Sequence, residues 1–247
     1  MVTWVEQVHK RASAFQGQIA AAKTAEAGSG IDLSGMIDLY RLKLEEIYLE
    51  EMPLAKIMDT SDLVFHAEGP STAAGEPGLR AFNWLCVSAE KQLRMLAKAI
   101  FNLTDLDAKK LSKNLDLRFS GFAPGSIYAG FSIAPLASIM GSDEPESVHE
   151  AIKFAIRQLP TIPEFIDDES LNLGIAELIP DPAMRDASLE ALFRLSPTGK
   201  VGIHTLDISS PDADQSELGN RERVVLRDAL RKPVMLKKRF GEFVGEV

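Results

Sequence analysis

His66 and Glu68 stand two residues apart in the stretch Leu63-Val64-Phe65-His66-Ala67-Glu68, a spacing that puts both side chains on one face of an extended strand. An imidazole beside a carboxylate can move a proton or ligate a metal. One histidine and one acid make neither site alone, and His9, His149 and His204 are scattered, so the pair reads as a solvated strand end. Glu45-Glu46, Glu50-Glu51 and Asp167-Asp168-Glu169 are acidic clusters. Two-metal hydrolysis needs carboxylates converging from separate elements, and Glu68 with Glu45 or Asp116 is a set that could supply them. Ser126, in Ala123-Pro124-Gly125-Ser126-Ile127, lacks the flanking glycines of a nucleophile elbow and opens a strand instead of a helix. Cys86 falls within an apolar helical seam, the place of an inert thiol.

The loop EGPSTAAGEPG, residues 68–78, lies between a strand and a helix, where a phosphate loop would sit. Five residues separate Gly69 from Gly75, and Glu76 follows where a P-loop carries lysine, so it reads as a mobile connector. No nucleotide, cofactor or metal fingerprint is present, and none is predicted to bind.

Charge carries the clearest interaction signal. The 247-residue chain has a net charge of −9, unevenly placed. Residues 221–247 hold eight Lys/Arg against four Asp/Glu, a balance of +4 that leaves −13 on residues 1–220. An acidic body repels phosphate backbones, so nucleic acid could be met only by the basic tail. The tail residues Arg227, Arg231, Lys232, Lys237, Lys238 and Arg239 are the predicted interaction residues, facing a protein partner or the acidic body of the same chain. No apolar run reaches the ~18–20 residues of a membrane span. A single cysteine rules out an internal disulfide, and the predicted location is cytoplasmic.

These residues need elements to hold them. Thr3-Trp4-Val5-Glu6 is a capping box, and Trp4, Val8, Ala12, Phe15, Ile19 and Ala22 follow at helical spacing until Gly28-Ser29-Gly30. Residues 37–49 alternate over Tyr40, Leu42 and Leu44, which predicts a half-buried strand, with a helix the other option because Ile47 and Tyr48 fit a helical spacing from Leu44. Phe82, Cys86, Ala89, Leu93, Leu96, Ile100 and Leu103 form a seam widened by Leu85 and Ala97, which suits a core helix better than a dimer seam.

Residues 115–133, LDLRFSGFAPGSIYAGFSI, alternate on two arms with every apolar position odd-numbered. Paired residues must then sum to an even number. A sum of 248 sets Leu117 opposite Phe131 and bends the chain at Ala123-Pro124-Gly125. Gly121 and Gly130, inside the arms, mark a bulge or a close backbone approach. Helices are predicted from Pro145 and from Asp181-Pro182, a strand over 201–208, a polar loop over 209–218 and a basic helix over 220–232, with a strand-like end at 241–247 that reads as an edge paired by a partner or another segment, or as a chain cut short.

The predicted architecture is α+β: a mainly antiparallel sheet, including the 115–133 hairpin, packed on long amphipathic helices. Residues 1–208 form the core domain and 209–247 the loop, basic helix and tail. The predicted function is a non-enzymatic interaction or regulatory module that binds a protein partner or itself. The alternative is a metal-dependent hydrolase or nuclease using dispersed carboxylates. A third reading makes this the front part of a longer protein whose next domain begins near Phe240.

Overall fold

The computed structural model describes residues 2–73, 76–103, 108–123, 126–136 and 145–231. Helix α1 (Trp4–Ser29) starts as the capping box dictates. The Glu6 amide donates to Thr3 Oγ1 and the Thr3 amide to Glu6 Oε2 at 2.9 Å. It ends on Gly30, whose left-handed backbone (φ 70°) closes the last turn onto Glu26.

The strand predicted over 37–49 is a helix: α2 (Ser34–Glu46) runs through a π-helical turn at Ile47–Glu51 into α3 (Met52–Thr60). The physical reason is that two helical stripes overlap. Ile37, Tyr40, Leu44 and Ile47 face inward; Ile37 and Ile47 are buried, Leu44 packs beside Ile47, and Tyr40 meets Phe15 of α1 at 6.0 Å. Leu39, Leu42 and Leu49 form a second stripe that faces solvent. Read as a line of letters, the two stripes imitate alternation. Pro53, which has no N–H to give, directly follows the widened turn, where Met52 N–H reaches back to Ile47.

Five strands form one antiparallel sheet in the order β2-β3-β1-β4-β5. They are β1 (Leu63–Glu68), β2 (Leu117–Ala123), β3 (Ile127–Ile133), β4 (Thr205–Ser210) and β5 (Ala213–Leu218). The 115–133 hairpin is present with Leu117 and Phe131 on one face, but its register differs by two residues from the prediction. Leu117 opposes Ile133 and Phe119 opposes Phe131, a sum of 250. A bulge between Phe119 and Gly121, with Gly121 at φ 136°, then shifts the pairing to Ala123–Tyr128. Gly130 is a close approach, since a Cβ there would run into Ser61 Oγ and Ile57 Cγ2.

The polar loop predicted over 209–218 is largely strand β5. It was misread because β5 is an edge: Asp214, Gln215 and Glu217 are exposed and only Leu218 is buried, which is how edges resist further pairing. The predicted strand over 201–208 begins later, at Thr205, because Gly199 and Gly202 turn the chain with positive φ. The 68–78 connector is pinned in part: Ser71 N–H donates to Gly202 O at 3.0 Å and His204 N–H to Glu68 O at 2.8 Å.

Helices cover both faces. One face carries Leu63, Phe65, Phe131, Leu206 and Ile208 into the main core with α4 (Leu79–Leu103), α6 (Pro145–Arg157), α8 (Pro182–Leu195) and α9 (Asn220–Arg231). The short α5 (Ala108–Asn114) and α7 (Ile175–Leu178) complete the α-helices of the described residues, and Leu159–Phe165 forms a 3-10 helix. Within α4, Leu85 and Ala97 are buried beside Ala89, Leu93, Leu96 and Ile100, so the stripe is a core face. On the other face, Ile57 of α3 meets Val64 and Ala123, and α1 packs onto α3 through Val8, Ala12 and Ala55. Those helices cover that second face incompletely, and the gap is a cleft.

Candidate functional site

Alternation places Val64, His66 and Glu68 on the second face of β1, and pairing decides what meets them. His66 lies directly opposite Tyr128 of β3 on one side and Asp207 of β4 on the other. Ser126, two residues before Tyr128, is its diagonal neighbour. The result is a hydrogen-bond chain across three strands. Ser126 Oγ contacts His66 Nε2, and His66 Nδ1 donates to Asp207 Oδ2 at 2.9 Å. Gln215 Nε2 donates to the same carboxylate oxygen at 2.9 Å. Asp207 can only accept, so Nδ1 carries the imidazole proton and Nε2 is left to accept from the serine hydroxyl.

Tyr128 stacks flat on the imidazole, with centroids 4.0 Å apart and planes 6° from parallel, which fixes the ring's orientation. Glu68 Oε1 stands 3.5 Å from Nε2. Burial, and then Asp207 and Glu68, push the Tyr128 phenol above its ordinary range. Glu217, on the same face of β5, is likewise raised by burial and then by Asp207, Glu222 and Glu68. His66 is therefore a buried imidazole among acidic side chains, and the expectation of a solvated strand end is corrected for it, since cross-strand partners absent from the local sequence enclose it; Glu68 is exposed as expected.

The cleft beside this chain has a volume of about 660 Å³. His66, Tyr128, Asp207 and the β4–β5 turn line one side; Trp4, Val8, Leu54 and Met58 of α1 and α3 line the other. Ser126 stands one hydrogen bond beyond the lining, next to the hairpin bend, and is half-buried. Pro124 and Gly125 fall outside the described residues.

The structure separates the other predicted chemistry. Glu45 is exposed on α2, Asp116 accepts from Arg118 at 3.0 Å, and among the described residues no three His, Cys, Asp or Glu gather as a metal site. Asp168 lies 3.6 Å from Arg221. Cys86 is half-buried, and burial raises its thiol pKa. Of the tail residues, Arg227 and Arg231 sit on α9, with Arg227 2.9 Å from Asp228. Lys232, Lys237, Lys238, Arg239 and the strand-like 241–247 lie outside the described residues.

Asp207 is the residue that sequence reading missed. Its only signal was the alternation Leu206-Asp207-Ile208, a polar side chain on the wet face of a strand. Among the described residues, no helix is long and apolar enough to cross a membrane. Comparisons with protein-family models, curated proteins and solved structures find no match to this chain.

Proposed function

We propose that this chain is a serine-nucleophile enzyme that hydrolyses or transfers acyl groups. One observation carries the reading: the chain Asp207–His66–Ser126, in which a carboxylate orients an imidazole whose other nitrogen meets a hydroxyl. Ser126 Oγ attacks the acyl carbon while His66 Nε2 takes the hydroxyl proton. The bond to the leaving group breaks and the imidazolium returns that proton to it. Water, deprotonated by the same nitrogen, then releases the acyl group and restores Ser126. Asp207 stabilises the imidazolium throughout. The sequence expectation of a non-enzymatic module rested on every catalytic spacing failing; residues 60 and 141 positions from His66 make no spacing at all.

A fluorophosphonate probe tests this by forming an adduct on Ser126, read by peptide mass. Labelling at Ser126, lost in His66→Ala while the chain stays folded, supports the reading. A folded protein with Ser126 unlabelled leaves the array as a polar latch between strands and overturns it.

A second reading keeps the interaction or regulatory module, binding a protein partner or itself. The solvent-facing stripe of α2 and the π-helical turn after it supports it, with Leu39 54%, Leu42 63% and Leu49 60% exposed. A helix apolar on both faces is one that something covers. Here native mass spectrometry of the wild type and of Leu39→Glu/Leu42→Glu decides. An assembly that falls to monomer supports self-association; a monomer in both, with no pull-down difference, removes it.

A further inference from the structure

We infer that the cleft selects an acyl ester whose body is apolar and whose head is a cation, an ammonium above all; the substrate class rests on the acyl-transfer reading, whereas the charge selection does not. Four carboxylates line the cavity: Glu51, Asp207, Asp212 and Asp214. Among the described residues, the one cation in the lining is Arg11, and Glu51 neutralises it at 2.5 Å. Asp212 has Arg157 at 3.6 Å, and Asp207 is engaged by His66 and Gln215. Asp214, exposed near the start of β5, adds a further negative charge at the rim. Glu68 and Glu217 deepen the negative field on the same sheet face.

Opposite these acids stand Trp4, Val8, Leu54 and Met58, an apolar wall that includes an indole about half exposed, a ring type that attracts cations. Carboxylates outnumber cations in the lining, so a phosphate ester or a free carboxylate entering here meets a net negative field, while an ammonium with an apolar chain meets opposite charge and an apolar wall. The field thus sorts substrates before the nucleophile acts on them.

Binding to the full chain carrying Ser126→Ala tests this, because it needs no nucleophile. Octyltrimethylammonium and octanoate, equal in chain length and opposite in charge, are titrated calorimetrically into that protein and into its Asp214→Lys form. The expected result is binding of the ammonium at least about tenfold tighter than the carboxylate, a preference that shrinks severalfold in Asp214→Lys and in high salt. Equal affinities, a preference for octanoate or no binding of either overturns the inference. Ammonium binding without probe labelling of Ser126 would leave the cleft's charge selection standing and the acyl-transfer reading fallen; labelling without charge preference would do the reverse.

Discussion

Four side chains hold His66: Asp207 and Ser126 in its plane, Tyr128 against its ring and Glu68 near Nε2. Asp207 is the orienting member. Asp207→Asn keeps the shape but offers Nδ1 an N–H, favouring the tautomer that cannot accept the serine proton. Labelling of Ser126 is expected to slow by on the order of 10³-fold with the melting temperature little changed, and an unchanged rate would remove Asp207 from the mechanism. Glu217 makes a pH prediction. Its pKa is raised in the folded protein, so its contribution to stability is full at low pH and is lost as pH rises through the folded value. At pH 7 the ionised carboxylate therefore destabilises the fold. Glu217→Gln should raise stability there by about 0.3 kcal/mol, small because the group is exposed. The gain should vanish below the ordinary glutamate pKa near ~4.3, and thermal melts across that range read it.

At the scale of elements, the cleft exists because α1 is fixed at its first turn. Besides the capping box, the Trp4 and Val5 amides each donate to an Asp59 carboxylate oxygen at 2.9 Å, so α3 caps α1. Asp59→Ala orphans both donors and should cost about 1–2 kcal/mol, seen as a lower denaturation midpoint. It should also loosen the Trp4 wall, read as a shift in tryptophan emission. The capping box was legible in Thr3-Trp4-Val5-Glu6 because it is local; Asp59 was not, being 55 residues away. The same contrast runs through α2. Its inner stripe was readable only once α1 was known to lie beside it, whereas α4 showed its core face in sequence because one wide stripe meets one core.

Across the whole molecule, one buried acid joins the layers. Asp62 is 6% exposed, accepts from the Ile133 amide at 2.9 Å and from Arg157 Nε at 3.0 Å, and lies 3.6 Å from Lys153 Nζ. It ties the start of β1 to β3 and to α6. Asp62→Ala strands a guanidinium and an amide, and should cost about 3–5 kcal/mol in urea unfolding. Pairing it with Arg157→Met should recover much of that loss, since the charge left behind is what costs; no recovery would mean the pair only fills space.

Local pattern alone determined the α+β class, the start and stop of α1, the hairpin at 115–133 and the special places of Gly121 and Gly130. Each follows from forces acting within a few residues: capping, side-chain alternation, and the steric freedom of glycine. Tertiary structure decided which strands neighbour one another, and with that the site. His66 was visible as a polar residue on a wet face, and so, in its own strand, was Asp207. Only the pairing of β1 with β4, set by how the apolar faces of distant segments close over one core, made them partners. Pairing between strands 141 residues apart leaves no mark in either strand, because each carries only the alternation that any partner would satisfy.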